Sequence, residues 1–282
     1  MSESVLKNVG VVLRPNPPQE ADELSRAFTH ELEGHGVNVW RGTVPDSGEF
    51  EKKVKELDLV FVFGGDGTIL HAAKIAAYHG VPITGVDFGR FGFLAELDPR
   101  TALDKVPDFV HGKHWLEERA MLKAQLVRHN NVVGEYLALN DIVVGRSFLS
   151  GVIDVKLDVD GSAITTYIGD GLIVSTATGS TAYLLATGGP VIAPTMRVIA
   201  ISAIAPHLSH LSHLIVPESS VVTLYVGTRK GASVTIDGQP DFSILDKDVL
   251  NVSNAPHVAY FARLQPKSYF YATLATRLRR GG

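Results

Sequence analysis

The sequence contains no cysteine among its 282 residues. Disulfide bonds, thiolate metal sites and cysteine nucleophiles are therefore excluded, and the absence of cysteine fits a reducing compartment. Long apolar runs are also missing, because no run approaches the roughly 20 residues of a membrane-spanning helix. The first apolar run, residues 9–13, is too short for a signal peptide. We therefore expect a soluble, cytoplasmic protein with no membrane partner.

The sequence also lacks a basic excess. Its formal net charge at pH 7 is −4, so it has no broad positive field of the kind that attracts nucleic acid. We therefore expect no nucleic-acid partner. By contrast, 45% of the residues are hydrophobic, and a chain of this length and composition can bury the cores of two domains.

The most informative stretch joins an apolar run to a helix through a glycine turn. Residues 59–63 read Leu-Val-Phe-Val-Phe and predict a buried strand, whereas residues 69–78 predict a helix. Between them, residues 64–68 read Gly-Gly-Asp-Gly-Thr. Glycines let the backbone approach an anion closely, and the free N–H groups at a helix start bind phosphate. This arrangement predicts a phosphate-binding turn.

Asp66 distinguishes this turn from other phosphate-binding loops. A carboxylate beside phosphates is unfavourable unless it accepts a proton from an attacking hydroxyl or helps to hold a metal ion. The turn matches neither the Walker loop nor the dinucleotide fingerprint, so these features indicate a kinase. The structural alternative is that Asp66 caps the following helix. His71, farther along that helix, either contacts the same phosphates or is a surface histidine.

The first part of the chain alternates strands and helices. The predicted elements are a strand at residues 9–13, a helix ending near Gly34, a strand at 37–40, a helix at 49–57 and, after the glycine turn, a strand at 81–86. This order predicts a Rossmann-like α/β domain over residues 1–118, whose ligands bind beyond the carboxyl ends of parallel strands. A second glycine-rich turn, residues 85–93, lies at such an end, and Arg90 within it is a candidate cation.

The second part reads as short strands separated by turns, which predicts a β-rich, β-sandwich-like domain over residues 119–262. Residues 153–159 alternate apolar and charged side chains, and Asp160-Gly161 predicts a hairpin turn after them. Further predicted strands lie at residues 123–127, 142–144, 172–175, 198–203, 221–226, 233–236, 249–252 and 258–262.

The last segment predicts a helix, Tyr269–Arg280, with an apolar stripe. An all-β domain rarely leaves such a stripe in solvent, so we expect residues 263–282 to pack on the first domain. Arg277, Arg279 and Arg280 lie at the carboxyl end of this helix, where positive charge compensates the helix dipole.

A second polar cluster lies in the β-rich part. Residues 175–183 hold the densest group of hydroxyls in the chain, and hydroxyls near a helix start bind phosphate or sugar oxygens. Asn140 and Asp141 interrupt an apolar run, and their donors and acceptors suit an adenine edge or ribose hydroxyls. The structural alternatives are an N-cap at Ser180 or Thr181 and a simple turn at Asn140-Asp141.

Metal binding has weak support in the sequence. His207, His210 and His213 recur every third residue, but Pro206 and the serines among them favour a loop over a zinc site. We therefore assign no metal ligands to the protein.

Taken in order, these motifs resemble those of NAD kinases. The resemblance covers about residues 9–261 and rests on Gly64-Gly65-Asp66-Gly67-Thr68, Ala138-Leu139-Asn140-Asp141, the run from Asp170 to Tyr183, Gly188-Gly189-Pro190 and Asp237-Gly238-Gln239. The first motif is shared with diacylglycerol-type lipid kinases and resembled in phosphofructokinases. The Asn-Asp pair combined with Thr-Gly-Ser-Thr-Ala-Tyr is highly specific.

The resemblance implies an ATP-dependent NAD kinase that phosphorylates the 2′-hydroxyl of the adenosine ribose of NAD to give NADP. Asp66 corresponds to the general base. The residues that correspond to the lining of the ATP phosphates are Gly64, Gly65, Gly67 and Thr68. Those that correspond to contacts of the dinucleotide are Asn140, Asp141, Asp170, Thr178, Thr181, Ala182, Tyr183, Ala186, Ala205 and Gln239.

The resemblance also implies an α/β domain joined to a β-rich domain and assembly as a homodimer or homotetramer, in which Asp170 matches an acid often contributed by a neighbouring subunit. Magnesium or another divalent cation is expected to arrive with ATP. The sequence departs from the family pattern at Asp87, Ile168, Ala177, Leu184 and Ala186. These departures bear on affinity and on the preference between NAD and NADH.

Two other functions remain open from the sequence. A lipid kinase would explain the glycine turn but not the Asn-Asp pair or the hydroxyl cluster. A dinucleotide-binding sensor without turnover would explain the binding motifs but gives Asp66 no purpose.

Overall fold

The computed structural model describes residues 5–45, 48–89, 92–147, 151–207, 211–228 and 231–280. The chain divides into two compact units, the first formed by Met1–Glu118 with Val258–Gly282 and the second by Arg119–His257. Each unit is built around its own hydrophobic core. In the described ranges, no helix is long and apolar enough to cross a membrane.

The strands, in chain order, are β1 (Asn8–Leu13), β2 (Asn38–Thr43), β3 (Leu59–Gly64), β4 (Ile83–Asp87), β5 (Trp115–Arg128), β6 (Asn131–Ala138), β7 (Asp141–Arg146), β8 (Ile153–Val159), β9 (Ser162–Gly169), β10 (Gly171–Thr176), β11 (Val198–Ile204), β12 (His213–Pro217), β13 (Val222–Gly227), β14 (Ala232–Ile236), β15 (Gln239–Ile244) and β16 (Val249–Arg263). The helices are α1 (Gln19–Gly34), α2 (Glu49–Lys53), α3 (Asp66–Ala77), α4 (Val106–Val110), α5 (Tyr183–Ala186) and α6 (Tyr269–Arg280).

A parallel sheet with the order β2-β1-β3-β4 forms the centre of the first unit. β3 is buried along its whole length, which explains its unbroken apolar sequence, because a central parallel strand is covered on both faces. Leu13 pairs with Phe63, and Gly64 pairs with Asp87, so the carboxyl ends of β1, β3 and β4 meet at one edge. The predicted Rossmann-like arrangement is confirmed.

Helices cover the sheet through apolar faces. Phe28 and Leu32 of α1 are buried, and the Phe28 ring packs on Phe61 of β3 with ring centroids 4.7 Å apart. On α3, Ile69 lies so close to the sheet that a Cβ atom at Gly85 would come within 2.4 Å of its Cδ1 atom. Glycine in β4 therefore lets α3, which begins with the glycine turn, rest directly on the strand.

The C-terminal helix α6 returns to the first unit, as predicted. Phe270 packs against Phe93 with ring centroids 6.5 Å apart, and Arg277 Nη1 donates to the Phe93 carbonyl at 3.3 Å. Arg277 lies near the carboxyl end of the helix, where the sequence placed it, but it is buried, with 8% exposed. Phe270 and Arg277 are seven residues apart, which places both on the same face of the helix.

Two antiparallel sheets form the second unit. One has the order β12-β11-β10-β7-β14-β15, whereas in the other β13 pairs with β16 and β8, and β8 pairs with β9. Side chains from both sheets share one core, including Leu157, Leu224, Leu172, Ile201 and Val234. This packing of two inner faces confirms the predicted β-sandwich-like architecture.

The strands that the sequence missed lie at sheet ends. β9, β12 and β15 end their sheets, and β6 pairs with β5 off the main strand order. Edge strands are covered less completely and carry a weaker apolar alternation; in β9, Ile164 and Ile168 are 41% and 44% exposed. The sequence also divided β16 into two strands, and the helix predicted at residues 49–57 ends at Lys53 and continues as a 3-10 turn, Val54–Glu56.

Candidate active site

The glycine turn joins β3 to α3 at the carboxyl edge of the parallel sheet. Gly65 precedes the helix with an extended backbone, φ −84° and ψ 178°, so α3 begins at Asp66 rather than at residue 69. The turn also contacts the turn that follows β4, because a Cβ atom at Gly89 would lie 2.9 Å from Gly65 Cα. This close approach of two backbones requires glycine.

A cavity of about 300 Å³ opens beside the turn, and its lining includes Arg14, Gly64, Gly65, Gly67, Thr68 and Gly89. The structure therefore brings together the four residues that were predicted to line donor phosphates. Free N–H groups and the positive end of the helix dipole lie at the start of α3. Arg14 adds a cation that the sequence did not indicate, although its position directly after β1 places it at the same sheet edge.

The carboxylate of Asp66 is held by the loop that follows β4. Asp66 Oδ2 accepts a hydrogen bond from Phe93 N at 2.9 Å, and Oδ1 accepts one from Leu94 N at 3.1 Å. The loop comes so close that a Cβ atom at Gly92 would lie 1.8 Å from Asp66 Oδ1. The alternative that Asp66 caps its own helix is wrong, since Gly65 occupies the capping position and the carboxylate turns to the loop.

Burial dominates the electrostatics of Asp66. Loss of solvation raises the pKa of its carboxyl group, the two N–H groups of Phe93 and Leu94 oppose that effect, and the negative charge of Asp87 adds to it. The positive charge of Arg277 lowers the pKa of Asp66 to a smaller extent. A carboxylate with a raised pKa is a stronger proton acceptor than an exposed aspartate.

Two other residues of the first unit, His71 and Arg90, were candidates for contacts with the phosphates. His71 lies on α3 and is half-buried. Arg90, the candidate cation of the second glycine-rich turn, lies outside the described residues.

In the second unit, Asp237 fixes the turn that presents Asn140 and Asp141. The Asp237 carboxylate accepts three successive backbone N–H groups, from Leu139 at 3.1 Å, Asn140 at 2.7 Å and Asp141 at 3.1 Å. Thr176 Oγ1 donates to the Leu139 carbonyl at 2.6 Å. The structure has a bend at Leu139 and Asn140, and Asp141 is the first residue of β7. The simple turn of the structural alternative is therefore only partly present, and its backbone is bound to two neighbouring segments.

The pKa of Asp141 is also raised by burial. Its side chain is 3% exposed, and burial, together with the nearby charge of Asp237, raises the pKa of its carboxyl group to about 7. The backbone N–H of Tyr183 donates to this carboxylate and partly offsets the increase. Asp141 therefore lies next to the hydroxyl-rich segment.

The hydroxyl-rich segment forms a 3-10 helix, Thr178–Thr181, followed by α5. Ser180 is buried and structural: its Oγ donates to the Ala177 carbonyl at 2.7 Å and accepts from Ile192 N at 2.9 Å. Neither Ser180 nor Thr181 is the N-cap of α5, since Ala182 immediately precedes that helix. Thr178 is also buried and accepts from Arg119 Nη1 at 3.3 Å. Among the residues of this segment that were predicted to contact the dinucleotide, those with exposed or half-buried side chains are Thr181, Ala182, Tyr183 and Ala186.

Asp170 and Ala205 lie at the other end of β10 from this cluster. β10 runs from Gly171 to Thr176, a length of roughly 20 Å between its flanking residues. Asp170 forms a bidentate ion pair with Arg146, with Nε–Oδ1 at 2.7 Å and Nη2–Oδ2 at 3.1 Å. Within one chain, the structure does not bring Asp170 and Ala205 to Asn140. Gln239, in contrast, follows Asp237 in the same hairpin and is exposed.

The described residues contain no group of three or more histidine, aspartate, glutamate or cysteine side chains that could hold a metal ion. His213 begins β12 rather than lying in a loop, and its Nδ1 atom is 3.0 Å from Ser202 Oγ. His210 lies outside the described residues.

Comparison with known sequences identifies the family. The family model for the ATP-NAD kinase N-terminal domain matches residues 9–114, and that for the ATP-NAD kinase C-terminal domain matches residues 139–264. This chain belongs to the ATP-NAD kinase family. It is 36% identical over 277 residues to the NAD kinase of Chloroflexus aggregans, covering 98% of this chain and 100% of the relative. It is 35% identical over 274 residues to that of Dehalococcoides mccartyi, covering 97% and 96%.

Two solved structures, an NADH kinase and an NAD kinase, share the fold. Yeast NADH kinase complexed with NADH superposes with a TM-score of 0.85 at 23% identity, covering 97% of this chain and 88% of the yeast chain. The NAD kinase from Archaeoglobus fulgidus in complex with ATP gives a TM-score of 0.79 at 24% identity, covering 98% and 100%. The similarity to ATP-NAD kinases inferred from the motifs is confirmed, and the lipid-kinase alternative is not supported.

Proposed function

We propose that this chain transfers the γ-phosphoryl group of ATP to the 2′-hydroxyl of the adenosine ribose of NAD, with Asp66 as the general base. The observation that carries the proposal is the position of Asp66. It is a partly buried carboxylate, fixed by two backbone N–H groups, in the first turn of a helix whose glycine turn borders a cavity. A sensor that only binds a dinucleotide has no need of a proton acceptor there.

The donor phosphates bind in the cavity beside the glycine turn in this proposal. The backbone N–H groups at the start of α3 and the guanidinium of Arg14 bind the phosphate oxygens. Magnesium or another divalent cation arrives with ATP and neutralises charge on the transferred group. Asp66 and Asp87 are the nearby carboxylates. Two carboxylates are few for a metal site of the protein itself, but they suit an ion that is held chiefly by the phosphates of ATP.

The acceptor binds to the second polar cluster. Asn140 and Asp141, held in a fixed turn by Asp237, bind the adenosine part of NAD, and Tyr183 offers an exposed ring for stacking. The other proposed contacts are Thr178, Thr181, Ala182, Ala186 and Gln239. Asp170 and Ala205, at the far end of β10, are assigned to the dinucleotide of a neighbouring subunit, so the active form is a homodimer or homotetramer. We place the enzyme in the cytoplasm.

The proposal is tested by product formation. Purified protein is incubated with NAD, ATP and magnesium, and NADP is measured with an NADP-specific dehydrogenase. We expect NADP to form only when both substrates and the divalent cation are present. Folded protein that consumes no ATP but binds NADP would overturn the proposal in favour of a sensor. Parallel reactions with NADH and with polyphosphate identify the preferred acceptor and donor.

A further inference from the structure

The peptide group that joins Phe93 to Leu94 is bound on both sides. Its N–H group, that of Leu94, donates to Asp66 Oδ1 at 3.1 Å, and its carbonyl, that of Phe93, accepts from Arg277 Nη1 at 3.3 Å. The N–H group of Phe93, in the preceding peptide, donates to Asp66 Oδ2 at 2.9 Å, and the carbonyl of Leu94, in the following peptide, accepts from Arg263 Nη1 at 2.9 Å. Arg277 is thus separated from the candidate base by a single peptide group.

Arg263, at the end of β16, is locked by buried carboxylates. Its Nε atom lies 2.7 Å from Glu117 Oε2 and its Nη1 atom 3.3 Å from Glu96 Oε2, and all three side chains are less than 10% exposed. The second oxygen of Glu96 accepts from the backbone N–H groups of Leu264 and Gln265 at 2.9 and 2.8 Å. Arg263 therefore has a complete set of local partners that explains its burial by structure alone.

Arg277 differs from Arg263 because it lacks comparable carboxylate partners. In the described part of the chain, no carboxylate lies within ion-pair distance of Arg277, and its buried Nε atom has no hydrogen-bond partner. The guanidinium carbon lies 5.6 Å from the ring centroids of both Phe93 and Tyr269. A buried, incompletely paired cation is costly, so an apolar residue would serve helix packing better.

The position of Arg277 near Asp66 gives a reason for placing an incompletely paired cation in the interior. Its positive charge interacts with Tyr269, Arg263, Asp66 and Glu96. The side chain also lines a cavity of about 460 Å³ together with Asp87, Gly92 and Tyr269. Hydrogen bonding of a guanidinium to a peptide carbonyl also polarises that peptide, which strengthens the hydrogen bond that its N–H donates. The peptide that contains the Phe93 carbonyl donates through the N–H group of Leu94, which binds Asp66 Oδ1 at 3.1 Å.

We propose that Arg277 is a positioning residue, which holds the peptide group between Phe93 and Leu94 so that its N–H group, that of Leu94, fixes the carboxylate of Asp66 and balances its negative charge. The inference rests on the proposed role of Asp66 as general base. Arg263 holds the following peptide group, which contains neither N–H group that binds Asp66, and its ion pairs make it a poor test, since a variant would lose them as well. Misplacement of a reacting group by about 1 Å can cost on the order of 100-fold in rate.

The test compares Arg277→Met and Arg277→Lys with Arg279→Met, which removes an exposed arginine of the same helix. We expect kcat to fall about 10- to 100-fold in Arg277→Met, with KM for NAD and ATP changed by less than about twofold. Arg277→Lys keeps the charge and one donor and is expected to recover part of the loss. Arg279→Met is expected to behave as the wild type.

The pH profile separates positioning from a merely structural role. Removing the Arg277 charge takes away an influence that lowers the pKa of Asp66, so the acid limb of kcat is expected to move to higher pH in Arg277→Met and to return toward the wild-type position in Arg277→Lys. The other charged or titratable groups around Asp66 are Asp87, Glu96, Arg263 and Tyr269, and all remain unchanged in these variants.

Three results would overturn the inference: an unchanged kcat and acid limb in folded Arg277→Met, a change in KM alone, or a loss of activity that Arg277→Lys does not relieve. If Arg277→Met does not fold, Arg277→Gln replaces it, because glutamine keeps a donor for the Phe93 carbonyl without the charge.

A double variant distinguishes failure of the inference from failure of the proposed function. If Arg277 acts through Asp66, Asp66→Asn with Arg277→Met is no slower than Asp66→Asn alone. Full activity of Asp66→Asn would overturn the general base itself. An inactive Asp66→Asn combined with a fully active Arg277→Met, or with further slowing in the double variant, would overturn only the role of Arg277.

Discussion

At the residue scale, two aspartates, the partly buried Asp66 and the buried Asp141, are oriented by backbone N–H groups. Asp66 receives those of Phe93 and Leu94, and Asp141 receives that of Tyr183. Burial is the main reason that the pKa of each carboxyl group is raised. At Asp141 the charge of Asp237 adds to the increase, and a single N–H group opposes it.

The titration of Asp141 predicts a specific pH dependence of stability. Because its native pKa of about 7 lies above the reference value of 3.8, the folded state holds the proton more tightly than the unfolded state. Stability is therefore lost as pH rises from about 4 to about 7, by up to about 4 kcal/mol. Asp141→Asn is expected to remove this loss, as measured by urea unfolding at pH 5 and pH 8.

The matched control for Asp141 is Asp154→Asn, which changes an exposed aspartate of β8 in the same unit. This variant is expected to keep the pH dependence of the wild type. Parallel stability curves for the wild type and Asp141→Asn would show that the Asp141 carboxylate does not titrate as described.

At the element scale, the carboxyl ends of β1 and β3 together form the cavity beside the glycine turn. Arg14 follows β1, whereas Lys7 precedes it at the opposite edge of the sheet. Arg14→Met is expected to raise KM for ATP roughly 10- to 100-fold, which corresponds to loss of a charge-assisted hydrogen bond. KM for NAD is expected to stay near its wild-type value in steady-state assays.

Lys7→Met is the control for Arg14, because it removes a cation from the far end of the same strand. An equal increase in KM for ATP in both variants would point to loss of overall charge and would contradict a direct contact between Arg14 and phosphate.

The strand, turn and helix around Asp66 were predictable because their signals are local. An unbroken apolar run, a cluster of glycines and a following helix specify β3, the turn and α3 without any distant contact. β9 and β12 were missed because edge strands carry mixed sequences. The true start of α3 at Asp66 was also missed, since it depends on how Gly65 meets Gly89 in space.

At the scale of the whole molecule, the architectures of both units could be predicted from the order of strands and helices in the sequence. The arginines that hold the loop bound to Asp66 could not be predicted, because Arg277 is 184 positions from Phe93 and Arg263 is 169 positions from Leu94 along the chain. In the sequence, Arg277 is one of several arginines at a helix end, and the pattern indicated only compensation of the helix dipole. Only the packing of α6 on the first unit brings it to the Asp66 loop.

The proposed assembly predicts complementation between subunits. If Asp170 serves the site of a neighbouring subunit, a mixed dimer of Asp66→Asn and Asp170→Asn chains contains one intact site. Co-expression of the two inactive variants is then expected to restore about a quarter of wild-type activity, because about half of randomly paired dimers are mixed. Continued inactivity of the co-expressed variants, with mixed dimers demonstrated, would place Asp170 in the site of its own chain.

The central claim is that Asp66 accepts the proton of the ribose hydroxyl. The most direct measurement is kcat for NADP formation by Asp66→Asn, with NAD affinity measured on the same preparation and Asp104→Asn, an exposed aspartate of the same unit, as the control. We expect kcat to fall by about 10²- to 10⁴-fold, whereas the affinity for NAD stays within about threefold of the wild type. Wild-type kcat in folded Asp66→Asn would contradict the account.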